Sequence, residues 1–228
     1  MQSEGAATGP RLIVFEGVDG AGKTTLHRAL AEYFRVQYPE VPLYADVFPG
    51  SVPGTLGEWV YRFHHGQTTS EGPQLEQVSP AALQLLHVAA HVDQIQRRIA
   101  PTLRAGGVVL LDRYWWSTYA YSRMTLPPEK VWPMVNAERA FWRDLPQPVA
   151  VYVSRGVSLK AKEIAPEAHA QLAAHYHEVM DFEREQGVEV IELENEGSVE
   201  ETWYRLLDVL HLPRQPLAAR SGATQGVG

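Results

Sequence analysis

A glycine-rich segment between a short apolar run and an amphipathic stretch constrains this chain more than any other feature. The apolar run is Leu12-Ile13-Val14-Phe15, and the segment is Gly17-Val18-Asp19-Gly20-Ala21-Gly22-Lys23-Thr24-Thr25. Its pattern, G-x-x-x-x-G-K-(S/T) between a strand and a helix, is typical of loops that bind phosphate chains. Such a chain needs many backbone N–H donors, and glycines let the backbone approach it closely. We therefore predict that residues 17–25 bind the phosphates of a nucleotide.

Two side chains at the end of this segment suit the chemistry of a triphosphate. The Lys23 ammonium can reach the β- and γ-phosphates and stabilise the phosphoryl group in transfer. The Thr24 hydroxyl can ligate Mg²⁺. The positive end of the helix that follows adds to the attraction for anions.

Length and composition indicate one large α/β domain, because 45% of the 228 residues are hydrophobic. We place this domain at residues 11–212, between a disordered N-terminus (1–10) and a flexible tail (213–228). The net charge of −7 argues against nucleic acid as a partner, since its backbone requires a basic surface. The chain contains no cysteine, which excludes disulfides and thiolate metal sites. No apolar run approaches the roughly 20 residues of a membrane span, so we expect a cytoplasmic protein.

Apolar runs alternate with helical stretches along the chain, which predicts a parallel sheet of five strands flanked by helices in three layers. The predicted strands are 11–15, 43–47, 108–111, 149–153 and 188–193. The predicted helices are 23–37, 56–65, 80–103, 115–123, 129–142, 158–186 (with a break near Pro166) and 198–210.

An acidic and a basic residue follow the third predicted strand directly. Ligands of parallel sheets bind beyond the carboxyl ends of the strands, so Asp112 and Arg113 would lie beside the phosphate loop. Asp112 could hold Mg²⁺, and Arg113 could clamp a phosphate through two hydrogen bonds. The plainer alternative is an Asp–Arg surface pair.

Three segments resemble thymidylate kinases. They are the phosphate loop with its preceding Phe15-Glu16, the stretch Asp112-Arg113-Tyr114-Trp115-Trp116-Ser117-Thr118-Tyr119-Ala120-Tyr121, and an acceptor loop formed by Phe48-Pro49-Gly50 and Pro53-Gly54-Thr55-Leu56-Gly57. The resemblance covers residues 11–122 in spacing and order, and continues to about residue 210 in the order of elements. It implies a P-loop NTPase fold, and transfer of the γ-phosphate of ATP to thymidine monophosphate (dTMP) with Mg²⁺ in a homodimer.

The resemblance also implies roles for individual residues. Asp19 would lie between the donor and acceptor phosphates, and Arg113 would hold the acceptor phosphate, so that Lys23, Asp19 and Arg113 form the catalytic set. Ser117, Tyr121 and Phe48 would line the acceptor pocket.

The sequence departs from the family pattern in three places. Ser51-Val52 replaces an arginine of the acceptor loop, and His87 and His91 stand where the family has a base-stacking Phe and a base-reading Arg. Positions i and i+4 share one helical face, so both histidines could line the pocket, or both could be ordinary core or surface residues. A lid at about 155–167 offers Arg155, Lys160 and Lys162 in place of several arginines.

These departures keep two further hypotheses open. One is a P-loop kinase of another nucleotide or small molecule, because imidazole lacks the fixed, charged fork of arginine. The other is a catalytically weak, nucleotide-binding regulatory protein.

Overall fold

The sheet has the five parallel strands that the sequence predicts. A computed structural model of the protein describes residues 9–50, 52–64, 78–156 and 165–217. The strands lie in the order β2-β3-β1-β4-β5. Their bounds are β1 Leu12–Glu16, β2 Leu43–Val47, β3 Val108–Asp112, β4 Val149–Ser154 and β5 Glu189–Glu194.

The two strands that carry the predicted site, β1 and β3, are buried along their whole length. Every residue of β1 and of β3 is buried, as expected of continuous apolar runs covered on both faces. Each strand nevertheless ends in an acid, Glu16 in β1 and Asp112 in β3. Two carboxylates therefore lie inside the protein at the edge where ligands of parallel sheets bind.

Helices flank this sheet, and their positions agree with the predicted stretches to within a few residues where these are described. The part of helix 158–186 that precedes Pro166 falls largely on residues 157–164, outside the described residues. The helices are α1 Lys23–Gln37, α2 Leu56–His64, α3 Pro80–Gln94, α4 Ala100–Arg104, α5 Trp115–Arg123, α6 Pro128–Trp142, α7 Pro166–Glu185 and α8 Val199–Val209.

The long helix predicted at 80–103 is interrupted by a wider π turn. Ser79 caps its start, since the Ser79 hydroxyl accepts a hydrogen bond from the Ala82 N–H. Residues Ile95–Ile99 then form the π turn between α3 and α4. Pro101 lies two positions after this turn. In a regular α-helix its ring would clash with the carbonyl four residues before it. The wider turn accommodates this proline without ending the helix.

The beginning of the predicted flexible tail packs against the domain. The Tyr33 hydroxyl donates to the Pro213 carbonyl (3.2 Å), and the Trp203 indole N–H donates to the Gln215 carbonyl (2.9 Å). The flexibility of the tail stays a prediction, and residues 1–8 and 218–228 lie outside the described part. Among the helices described, none has the length and apolar character that crossing a membrane requires.

Candidate active site

The phosphate loop leaves β1 through a glycine that no other residue could replace without movement. Gly17 has a φ of 135°, and a Cβ at this position would overlap the Val153 carbonyl of β4. Gly20 (φ 79°) and Gly22 (φ 103°) also adopt positive φ. Such angles strain any residue with a side chain. The loop thus folds as its glycine spacing predicts, with α1 beginning directly after Gly22.

The Lys23 side chain folds back over this loop. Its ammonium donates to the carbonyls of Gly17 (2.8 Å) and Val18 (2.9 Å), and only 5% of the residue is exposed. Burial, together with the nearby Arg113 guanidinium, lowers the pKa of Lys23 to about 8, although the Asp112 carboxylate opposes the shift. A cation in so dry an environment has a strong electrostatic reason to bind a polyanion.

A residue that the sequence analysis missed supports the loop from behind. Asn195 follows β5 and is 7% exposed; its amide N–H donates to the Ala21 carbonyl (2.7 Å). The side-chain oxygen of Asn195 accepts a hydrogen bond from the Thr202 hydroxyl (3.0 Å), and this bond fixes the orientation of the side-chain amide. A Cβ on Gly22 would overlap the same amide. No local motif signals this role, because the contact spans 174 positions of the chain.

The two residues predicted to hold a metal lie next to each other. The Thr24 hydroxyl donates to a carboxylate oxygen of Asp112 at 2.5 Å. Mg²⁺ prefers hard oxygen ligands and usually keeps several waters and substrate phosphates in its shell. The described residues contain no cluster of three or more His, Cys, Asp or Glu side chains suited to a metal. The Thr24 hydroxyl and the Asp112 carboxylate are oxygen ligands of the kind that fits Mg²⁺.

Arg113 is bound to the phosphate loop through Asp19. The guanidinium pairs with one oxygen of Asp19, and the Tyr121 hydroxyl donates to the other at 2.8 Å. Burial acts to raise the pKa of Asp19, but Arg113, Tyr121 and Lys23 together lower it. Asp19 is thus held ionised between the two cations expected to bind phosphates.

Arg113 also adopts a backbone conformation that is rare for its residue type. Its φ is 85°, a strain of about 1–3 kcal/mol. The guanidinium donates to the Ser117 hydroxyl (3.0 Å), and the Tyr176 hydroxyl lies 2.9 Å from the same oxygen. Strained residues of this kind concentrate at functional sites. The structure therefore brings together four of the predicted site residues, Asp19, Arg113, Ser117 and Tyr121, and adds Tyr176.

Glu16, which the sequence analysis named only within a motif, lies under this cluster. It is fully buried and accepts the backbone N–H groups of Tyr114 (2.7 Å) and Ser117 (2.9 Å) and the Ser117 hydroxyl (2.7 Å). Burial raises the pKa of Glu16 to about 7, although Arg113 opposes the shift. The sequence does contain a signal for this role, because Glu16 is the one acidic residue in the otherwise apolar run of β1.

The predicted acceptor residues Phe48 and His91 contact each other. Their rings stack with centroids 3.7 Å apart at 14°, and they are 1% and 3% exposed. The His91 ring nitrogen Nδ1 lies 2.7 Å from a carboxylate oxygen of Glu138, which is also fully buried. His87 lies one turn away, with its ring centroid 6.2 Å from that of His91. His91 is thus a packed residue whose ring is covered by the protein and hydrogen-bonded to a buried carboxyl group.

The predicted lid is described only at its first residues. Arg155 follows β4 and is half-buried, and the N–H of the next residue, Gly156, donates to Glu196. Lys160, Lys162 and the acceptor-loop residue Ser51 lie outside the described residues.

Comparison with known proteins places this geometry in a family. A family model described as an AAA domain matches residues 12–202. The chain is 35% identical over 109 residues to a probable thymidylate kinase of Pyrococcus horikoshii, a match covering 48% of the chain and 50% of the relative. It is 39% identical over 111 residues to a thymidylate kinase of Bartonella quintana, covering 48% and 46%. The chain thus spans about half the length of the curated relatives it matches.

A solved structure is similar over a longer range. The crystal structure of thymidylate kinase from Ehrlichia chaffeensis superposes with a TM-score of 0.64, covering 89% of this chain and 99% of that one. The sequence identity of 20% makes this a likeness of fold. From the match over residues 12–202, the chain belongs to the AAA domain family, and about half of it is similar in sequence to thymidylate kinases.

Proposed function

We propose that the protein transfers the γ-phosphate of ATP to a nucleoside monophosphate, with dTMP as the preferred acceptor and Mg²⁺ required. The observation that carries the proposal is the Arg113–Asp19 pair, which attaches an anion-binding guanidinium to the loop that would hold ATP. The sequence similarity to thymidylate kinases supports the choice of acceptor.

In this proposal, each residue of the site positions or neutralises a phosphate. The backbone N–H groups of the loop and the Lys23 ammonium bind the ATP tail. The acceptor phosphate takes the place of Asp19 on Arg113, which becomes free to form two parallel hydrogen bonds. Thr24 and Asp112 hold Mg²⁺, which neutralises charge on the phosphates when bound. Phosphoryl transfer needs little from the protein beyond such positioning and neutralisation.

A different acceptor is the second candidate, favoured by one observation. His91 is stacked on Phe48, and its Nδ1 is hydrogen-bonded to Glu138, so one ring face and one ring nitrogen already contact the protein's own groups. A nucleotide whose base needs a cationic side chain at position 91 would bind poorly. An acceptor that makes no contact with that side chain would be unaffected.

We also propose that the protein acts in the cytoplasm, where its proposed substrates occur, and as a homodimer. The resemblance to the kinase family supports the dimer, as do the exposed aromatic side chains Trp59 and Tyr61 on α2. Light scattering on the purified protein measures this oligomeric state directly.

The proposed reaction is tested by measuring ADP formation with ATP, Mg²⁺ and a panel of nucleoside monophosphates. We expect the largest kcat/KM with dTMP. Arg113→Lys should lower kcat/KM by about 100-fold or more, because the bidentate fork is lost. Arg123→Lys is the matched control, since Arg123 ends α5, the helix that follows Arg113, but pairs with Glu178. No transfer to any acceptor would refute the proposal, and preference for another acceptor would favour the second candidate.

A further inference from the structure

One buried carboxylate joins the two halves of the site described above, although it faces neither substrate. Glu16 ends β1, immediately before the phosphate loop, and no part of it is exposed. Its three hydrogen bonds all go to the segment that follows Arg113, namely Tyr114 and Ser117. It therefore links the strand that carries the donor loop to the helix that carries the acceptor groups.

We propose that Glu16 is a positioning residue, whose carboxylate holds the first turn of α5, and through Ser117 the Arg113 guanidinium, in register with the phosphate loop. The inference rests on the proposed phosphoryl transfer, because Arg113 is the group whose placement matters for it.

The first argument concerns the backbone. Tyr114 precedes α5 and supplies no side-chain cap, so the first N–H groups of this helix, of which that of Ser117 also donates to the Tyr114 carbonyl (3.0 Å), gain from a further acceptor. Glu16 supplies it from a neighbouring strand, with bonds of 2.7 and 2.9 Å. The same bonds hold the peptide next to Arg113, whose φ of 85° persists only if its surroundings enforce it.

The second argument concerns the direction of a hydrogen-bond chain. An ionised carboxylate only accepts, so the single proton of the Ser117 hydroxyl must point to Glu16. The lone pairs of that hydroxyl then face the Arg113 guanidinium and the Tyr176 hydroxyl. With a neutral group at position 16, the Ser117 proton has no fixed direction, and Arg113 loses an assured acceptor.

The charged groups around Glu16 allow a pH readout. Arg113 and Lys23 favour its ionised form, whereas burial opposes it, and the pKa of about 7 lies within the assay range. The neighbouring Tyr152 and Tyr176 stay neutral there, because burial and the Glu16 charge raise their pKa values. The wild-type kcat should therefore rise with pH across about 7, as Glu16 ionises.

The test compares Glu16→Gln with the matched control Glu183→Gln. Glu183 is also a buried carboxylate and accepts from Trp116 on the same helix, but contacts neither the loop nor Arg113. With ATP and dTMP, we expect Glu16→Gln to lower kcat at pH 8 by about tenfold or more at nearly unchanged KM for ATP, and to abolish the pH dependence near 7. Glu183→Gln should retain both. Equal losses in the two variants, or a wild-type pH profile in Glu16→Gln, would overturn the inference.

Amide hydrogen exchange separates this inference from the proposed function. At pH 8, residues 114–118 should exchange about tenfold faster in Glu16→Gln than in wild type, because a charge-assisted acceptor has become neutral. At pH 6 the difference should largely vanish. An inactive wild-type protein would refute phosphoryl transfer, and the exchange result would still decide the role of Glu16. Unchanged exchange at both pH values overturns that role whatever the kinetics show.

Discussion

Replacing Asn195 with Asp tests how the phosphate loop is supported, because it changes only the side-chain amide nitrogen to an oxygen. The Asn195 amide donates to the Ala21 carbonyl at 2.7 Å and is 7% exposed. An ionised Asp places an oxygen against that carbonyl, whereas a protonated Asp can still donate to it. The substitution therefore leaves packing almost unchanged. The hydrogen bond to the Ala21 carbonyl can form when Asp is protonated and is lost when Asp is ionised.

The magnitude follows from these contacts. A buried acceptor left without its donor costs about 1–3 kcal/mol. Burial and the facing carbonyl raise the pKa of the new carboxyl in the folded state above its usual value of about 3.9. The folded state then binds more protons than the unfolded state above about pH 4, so stability falls as pH rises, by up to about 1.4 kcal/mol per unit. We expect a loss of about 1 kcal/mol at pH 5 and of about 3 kcal/mol at pH 8.

Urea unfolding of Asn195→Asp and wild type at pH 5 and pH 8 gives this difference directly. Thr202→Val is the control, because it removes the donor to the Asn195 carbonyl but keeps the bond to Ala21. Its loss should be about 1 kcal/mol and independent of pH. An Asn195→Asp variant as stable as wild type at pH 8 would refute the assigned contact.

Three further predictions concern other contacts of the site. The pKa of Lys23 is about 8 in the folded protein and 10.5 ordinarily, so stability should gain from this group as pH rises between these values. The negative charge of bound ATP should favour the protonated ammonium of Lys23. Calorimetric titrations of ATP above pH 8, in buffers of different ionisation enthalpy, should therefore show proton uptake by the protein. Gly22→Ala should cost about 1–3 kcal/mol and weaken ATP binding in thermal-shift titrations, because φ is 103° and the new Cβ overlaps Asn195. His91→Ala should cost about 1–3 kcal/mol in urea unfolding, since it removes the imidazole that is hydrogen-bonded to the buried Glu138; a loss below about 1 kcal/mol contradicts that pairing.

The fold was predicted from the sequence, and a phosphate site could be proposed from it, because both depend on local patterns. The five apolar runs, the glycine spacing of residues 17–25 and the Asp112-Arg113 pair at the end of β3 are recognisable within short windows of sequence. Asp112 and Thr24 meet as predicted because parallel strands end at one edge.

The groups that support the site depend on contacts between distant segments, which one sequence does not reveal. Asn195 and Glu16 act on partners 174 and about 100 positions away. His91 shows the same limit differently, because its helical spacing fits a pocket wall as well as a buried face. The positions of Phe48 and of Glu138, on other elements, decide that it is packed and hydrogen-bonded inside the protein.

The central claim is that residues 17–25 and Lys23 bind the phosphates of ATP. Calorimetric titration of ATP with Mg²⁺ onto wild type, Lys23→Ala and the exposed-surface control Lys130→Ala tests it most directly. The account predicts Mg²⁺-dependent binding to wild type and Lys130→Ala, and a loss of at least tenfold in affinity in a folded Lys23→Ala. Equal affinity in all three proteins, or no binding to wild type, would contradict it.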